Sequence, residues 1–418
     1  MQAEITTQEI AKTTATTMTN RVEQFRTWLA DRRNFLFSRY TRDKQETQEP
    51  EKTVLELPTA VRRKLINDVN RLPSNPADKE AIVATLDRAF EQWQEDPDNA
   101  DNSVVVLSSP VAAVSRILSE TLSEWARQKQ IPLNLLPFKI RPAEIETVKS
   151  KLEHYFQEEE LQNDRDRLEV AVIPNLSWCF LRSLNGLAGI EYIQSLLCNG
   201  SKRRFWIIGA GQVGWQYLNS VCSLEAYCGE VFTLPKISAP DFQDWFEPVI
   251  RDLNLTFDDP SIDRQILDGH KDNKTNYYEH LADTSRGVAT VAVQLFLKSL
   301  RCQETDRDEA ENLTESAESS SQQQSLIAQT PKLPKLPEFD SQDQYLLYSL
   351  LLHGDLTVAG LAESLGDLDS EVQARIQLLR RQGVVEQKNG IIKINPIYYP
   401  RIKQDLASNN FIINRDVN

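Results

Sequence analysis

The chain has 418 residues, 40% of them hydrophobic, enough for two or three domains and at least one sizeable core. Its formal charge is −14 and its pI about 5.0, which excludes a global electrostatic drive toward nucleic acid or anionic lipid and leaves only local basic patches to act that way. The five cysteines lack C-x-x-C spacing and the four histidines are scattered, so a Cys/His metal site is not expected and the thiols read as buried groups in a reducing compartment.

Residues 1–20 are Thr-rich and lack the apolar segment of a signal peptide; with no long apolar run anywhere, a cytoplasmic protein is expected, peripheral membrane contact being the alternative. Between Arg21 and Lys44 the stripe Val22, Phe25, Trp28, Leu29, Phe35 and Leu36 predicts an amphipathic helix, with seven Arg or Lys against three acids. A basic helix with Trp and Phe can lie on a lipid surface. Docking on a protein partner, or self-association, is the first reading. This arm is assigned to residues 1–48 and expected to be partly disordered, and a helical lead-in follows over 54–98, broken at "LPSNPADK".

Residues 99–238 carry a strand–helix rhythm. "SVVVLSS", "IPLNLLPF", "RLEVAVIP", "RRFWIIG" and "EVFTLP" read as five strands. Between them "PVAAVSRILSETLSEWARQK", "RPAEIETVKSKLEHYFQ", "SWCFLRSLNGLAGIEYIQSLLC" and "QVGWQYLNSVCSLEAY" read as helices. The fold class expected is therefore α/β, a parallel five-stranded sheet with helices on both faces. After Pro235 the alternation stops, and residues 239–302 read as helical. Residues 303–338 read as a disordered linker, with seven acids and one base between Gln303 and Thr330, "ESAESSSQQQ", and then a Pro-spaced strap. From residue 339 to 418, three helices closed by Gly354, Gly366 and Gly383 precede a hairpin turning at Asn389-Gly390, which is the winged-helix pattern followed by a C-terminal helix.

This order, with "LPKISAPDFQDWFEPVI" and "YYEHLADTSRGVATVAVQLFLKSL" after the sheet, resembles an ATPase of the AAA+/STAND kind with a helical lid. The closing "GIIKINPIYYPRIKQDLASNNFII" is similar to the winged-helix ends of some bacterial ATP-binding proteins. The resemblance covers roughly residues 54–413 and implies a P-loop-like core. A P-loop wraps phosphates in glycine-rich backbone and sets a lysine and a hydroxyl on the terminal phosphates and Mg²⁺. The turn here is "SSPVAAVSRIL", without glycine or lysine, and Pro110 removes a backbone donor. Where the third strand ends and the family carries acids, Pro174 and Asn175 stand; Gly209 stands where it often has a polar sensor. The resemblance so modified implies a pseudo-ATPase with no catalytic residue, metal or cofactor.

"GAGQVG" matches G-x-G-x-x-G, and Gly209, Gly211 and Gly214 would hold an NAD(P) pyrophosphate if the chain were a dinucleotide-binding protein. The context is against this: the motif sits on the fourth strand of five, and Glu230 precedes the next strand instead of ending it. The first reading is a turn that lets a helix pack close to the sheet. In the C-terminal module the third helix offers Gln373, Gln377, Arg380 and Arg381, with Lys388 on the wing, to a partner. Between Asp340 and Tyr399 five bases oppose eight acids, so protein contact ranks above DNA, and a DNA-binding regulator is the alternative.

Overall fold

A computed structural model describes residues 54–411 apart from 137, 139, 163–167, 252, 254, 259–271 and 304–325. The helix expected over 21–44, with Val22, Phe25, Trp28, Leu29, Phe35 and Leu36, lies outside the described residues.

β1 (Val54–Leu55), α1 (Thr59–Arg71) and α2 (Pro76–Glu95) lead into the core. The core runs β2 (Ser103–Ser108), α3 (Val114–Lys129), β3 (Leu133–Leu135), α4 (Thr147–Gln162), β4 (Glu169–Ile173), α5 (Ala188–Asn199), β5 (Arg204–Gly211), α6 (Gln212–Cys222) and β6 (Glu230–Thr233). All five core strands are parallel, in the order β3-β4-β5-β2-β6, so β2 and β5 lie side by side near the centre. Strand residues alternate between two apolar layers, as the period of two requires. Val104, Val106, Val170, Val172, Phe205 and Ile207 pack with α2 and α3 on one face. Val105, Leu107, Ala171, Ile173, Trp206 and Ile208 pack with α4, α5 and α6 on the other. Two buried tryptophans keep their N–H groups satisfied, Trp93 donating to the Lys202 carbonyl (2.9 Å) and Trp125 to Asp87 (3.0 Å).

One helix is shorter than its apolar pattern predicts. "SWCFLRSLNGLAGIEYIQSLLC" does not form a single helix. Asn175 caps one 3₁₀ turn (Leu176–Cys179), the chain extends at Phe180, and α5 starts only at Ala188. The Leu181 N–H instead closes a turn on the Gly186 carbonyl (2.9 Å). The apolar residues in the break pack against other elements, which a period count cannot distinguish from helix packing.

The segment expected as a lid comprises α7 (Ala239–Ile250), β7 (Leu255–Asp258), α8 (Asn273–Ser285), α9 (Ala289–Ser299) and β8 (Leu300–Gln303), with β9 (Leu326–Gln329) beyond it. It is not purely helical: a four-stranded sheet of order β1-β8-β9-β7 joins segments far apart in sequence. β9 falls inside the 303–338 stretch read as linker, where Leu326, Ile327 and Ala328 are buried. Residues 304–325 of that stretch lie outside the described residues.

The last module holds α10 (Ser341–His353), α11 (Val358–Leu365), α12 (Asp369–Arg381), the antiparallel hairpin β10 (Val385–Lys388) and β11 (Ile391–Ile394), and α13 (Tyr399–Ser408). Three helices and a small antiparallel sheet are compatible with a winged-helix domain. Asn389 and Gly390 both have positive φ (52° and 78°), as a two-residue primed turn demands.

This module is bolted to the core. Arg141 pairs with Asp355 (3.1 Å) and donates to the carbonyls of Phe180 (3.2 Å) and His353 (2.8 Å). Arg182 donates its backbone N–H to His353 Nε2 (3.3 Å) and its guanidinium to the Ser364 carbonyl (2.8 Å). Burial pushes the fully enclosed His353 well below the ordinary histidine pKa, and the charges of Arg141 and Arg182 add to this, so its ring is neutral.

Candidate functional site

The C-terminal ends of β2 and β6 open into a cavity of about 810 Å³. Its walls come from segments far apart in the sequence. The α1–α2 loop and first turn of α2 supply Leu72, Ser74, Asn75 and Asp78, the β2–α3 turn supplies Ser109 and Ala112, and the first turn of α3 supplies Arg116. Lys236, Trp245, Arg286, Val288 and Thr290 come from the lid, and Tyr399 and Lys403 from α13.

Local chemistry fixes these walls. Glu120 on α3 accepts from the Ser74 backbone N–H (2.7 Å), Lys79 (3.1 Å) and Arg116 (2.8 Å). Burial opposes its ionisation, but these donors prevail and hold its pKa down at about 2. Arg116 also donates to the Leu72 carbonyl (2.6 Å), and Trp245 donates to the Pro73 carbonyl (2.9 Å), so the α1–α2 loop is gripped from core and lid together. Across the cavity, Arg286 and Gly287 both adopt left-handed φ (57° and 68°). A Cβ on Gly287 would lie 2.7 Å from the Ile237 nitrogen, and the Ile237 N–H donates to the Gly287 carbonyl (3.1 Å). Only glycine fits there, where the backbone passes against Lys236 and Ile237.

The β2–α3 turn has little to offer a phosphate. The Ala112 N–H is already given to the Ser109 carbonyl (2.9 Å), Pro110 has no N–H, and Ala113 caps α3 without any side-chain bond. At the end of β4, Asn175 is occupied in accepting from the Ser177 N–H (3.1 Å), and the Pro174 carbonyl is turned toward Gly209. Among the described residues no group of three or more His, Cys, Asp or Glu is placed to hold a metal ion.

The polar residues that line the cavity are different ones. Asp78 is 5% exposed, and burial raises its pKa to about 6. Asn75 Nδ2, Ser109 Oγ and Thr290 Oγ1 are buried without a hydrogen-bond partner. Sequence reading passed over all of these. The only local signal was Asn75-Pro76, a helix start; their convergence depends on tertiary packing.

Gly209, Gly211 and Gly214 are not grouped around a turn. β5 runs through Gly211 and α6 begins at the next residue, with Gly211 at φ −80° and ψ 137°. Gly209 abuts Pro174 and Leu118, and Gly214 abuts the Leu352 carbonyl of α10. On α12, Gln377, Arg380 and Arg381 are exposed, as is Lys388 on β10, whereas Gln373 is half-buried. The same helix carries Asp369 and Glu371 in its first turn. Arg375, which the sequence reading did not single out, ties α12 to Asp340 and Asp343 at 2.9 Å each. Among the described residues no helix is long and apolar enough to cross a membrane.

No family model and no curated protein matches the chain. Solved structures give distant likenesses. Cdc6p from Pyrobaculum aerophilum is similar over 80% of this chain and 96% of its own, at 12% identity and a TM-score of 0.36. ORC2 from Aeropyrum pernix, solved as ADPNP-ADP complexes, is similar over 83% and 97%, at 12% identity and a TM-score of 0.38. A RuvB variant from Thermotoga maritima is similar over 77% and 94%, at 14% identity and a TM-score of 0.32.

Proposed function

We propose that the chain is a non-catalytic cytoplasmic regulatory or scaffold protein, built on an AAA+-like core whose phosphate chemistry is lost, with a winged-helix module as a protein-binding surface. The observation that carries this reading is the β2–α3 turn. It closes on itself through Ala112 and Ser109, lacks lysine and glycine, and faces no carboxylate from the end of β4. Phosphoryl transfer is almost wholly positioning and charge stabilisation, so losing both halves removes the reaction.

The winged-helix surface supports a protein partner over DNA. The N-terminal end of α12 carries exposed Asp369 and Glu371, with Asp367 just before it, and these repel phosphate where a recognition helix meets the groove. Leu368 and Leu378 stand exposed beside them, at 67% and 51%. The basic end, Arg380, Arg381 and Lys388, gives such a partner a charge to match. The N-terminal arm, with Val22, Phe25, Trp28, Leu29, Phe35 and Leu36, is proposed as a second interface. ATP turnover by the purified full-length protein with Mg²⁺ tests the reading: none is expected, and Mg²⁺-dependent phosphate release above the no-protein rate overturns it.

A further inference from the structure

The cavity has no phosphate cradle but keeps polar groups with nothing to bond. The Asp78 carboxylate has no hydrogen-bond or ion-pair partner among the described residues, although the residue is 5% exposed. Buried carboxylates are normally paired, so an unmatched one facing a cavity marks the place of an absent donor. Three residues earlier, at the cap of the same helix, Asn75 spends its oxygen on the Ala77 N–H (2.9 Å) and leaves Nδ2 buried and unbonded. That amide is closed off from the cavity, so the open acceptor at the start of α2 is Asp78. At the lid wall, Lys236 and Arg286 are exposed at the rim with no ion pair among the described residues.

We propose that this cavity binds a short zwitterionic peptide, whose ammonium meets Asp78 and whose carboxylate meets Lys236 and Arg286, without a divalent metal. The pairing follows from the groups: a lone carboxylate needs a donor, and two cations need an anion. A peptide offers both, one at each end. Leu72, Ile117, Trp245, Val288 and Val293 line the same cavity and give apolar side chains a surface. Its volume, about 810 Å³, lies in the range of drug-sized ligand sites. Because core, lid and α13 all contribute walls, occupancy would tie the winged-helix module to the state of the cavity.

The test is calorimetric titration of the full chain with leucyl-phenylalanine, N-acetyl-leucyl-phenylalanine and leucyl-phenylalaninamide. The free dipeptide is expected to bind, and either blocked form to bind at least about tenfold more weakly, the loss of one charge-assisted bond. Asp78→Asn, which removes an unpartnered charge and leaves the fold intact by thermal melting, is expected to lose the same factor for the free dipeptide and none for the acetylated one. Lys236→Ala with Arg286→Ala is expected to do so for the free form and not for the amide. No heat from the free dipeptide at millimolar concentration overturns the proposal, as does binding indifferent to both sets of substitutions. Neither result bears on ATP turnover, so failure here is distinguishable from failure of the non-catalytic reading.

Discussion

Replacing Gly209 by alanine sets a Cβ 2.5 Å from Leu118 Cδ1 and 2.5 Å from the Pro174 carbonyl oxygen. The leucine can turn away; the carbonyl belongs to the end of β4 and cannot move without disturbing the sheet. At Gly214 the added carbon meets the Leu352 carbonyl at 2.5 Å, so α6 and α10 must part. Overpacking of this kind costs about 1–3 kcal/mol. With an unfolding entropy of about 2.1 cal/mol/K per residue, a chain of this length shifts by about 1 °C per kcal/mol, so each substitution lowers the melting midpoint by roughly 1–3 °C. Gly211 is the internal control. Its added Cβ finds only Pro110 Cα at 3.6 Å, and its φ of −80° suits any residue. Alanine there leaves the midpoint unchanged or raises it, since it removes about 0.4–1 kcal/mol of unfolded-state entropy. The assay is thermal melting of the three variants with and without NADH. An equal fall in all three refutes the packing argument. A midpoint raised by NADH in the parent protein and not in the variants restores the dinucleotide reading.

Arg141→Ala leaves the carbonyls of Phe180 and His353 and the Asp355 carboxylate without their donor; removing one partner of a buried pair costs roughly 3–5 kcal/mol, reduced here because Lys393 remains 3.5 Å from Asp355. Denaturant unfolding reads the loss, and limited proteolysis is expected to release the module beginning at α10; an unchanged midpoint contradicts the assigned role. Two groups give opposite pH trends. Asp78 has a folded pKa raised to about 6 against the ordinary 3.8, so its destabilisation is full above pH 6 and fades as pH falls toward 3.8; Asp78→Asn stabilises at neutral pH by up to about 3 kcal/mol and not at pH 4. His353 has a folded pKa below the ordinary 6.5, so its contribution is present above 6.5 and lost as pH falls; His353→Gln flattens that slope, and urea midpoints between pH 4 and 7.5 check both. Deleting residues 1–48 is expected to change the mass by light scattering or abolish partner capture while the core still melts cooperatively; salt-sensitive pelleting of only the full-length protein with anionic vesicles assigns the arm to lipid instead. Duplex DNA is expected to give no mobility shift at physiological salt, and a shift lost in Arg380→Ala with Arg381→Ala favours the DNA-binding alternative.

The core was legible because its strands are short β-branched runs, such as "SVVVLSS", separated by amphipathic helices, and buried parallel strands need no finer signal. The C-terminal module was legible through its punctuation: Gly354, Gly366 and Gly383 each take positive φ at a helix end, and Asn389-Gly390 makes the hairpin turn. The lid sheet was not. β1 has two residues and β7, β8 and β9 have four each, too short for a period, and their pairing is non-local. β9 was hidden further by the acidic tract before it. The cavity was the least legible feature. Asp78 looked like one more acid in the first turn of a helix, where it complements the helix dipole, and only the approach of the lid and α13 makes it a buried, unmatched charge. Asn175 at the end of β4 is legible in the sequence only as an absence of acid; its positive role, capping the turn that interrupts an expected helix, depends on where the chain bends.

Calorimetric titration of the purified full-length chain with ATP in the presence of Mg²⁺ probes the β2–α3 turn most directly. The turn has no lysine, no glycine and a proline where a donor would be needed, and the account predicts no binding at millimolar nucleotide. A micromolar dissociation constant that depends on Mg²⁺ would contradict it.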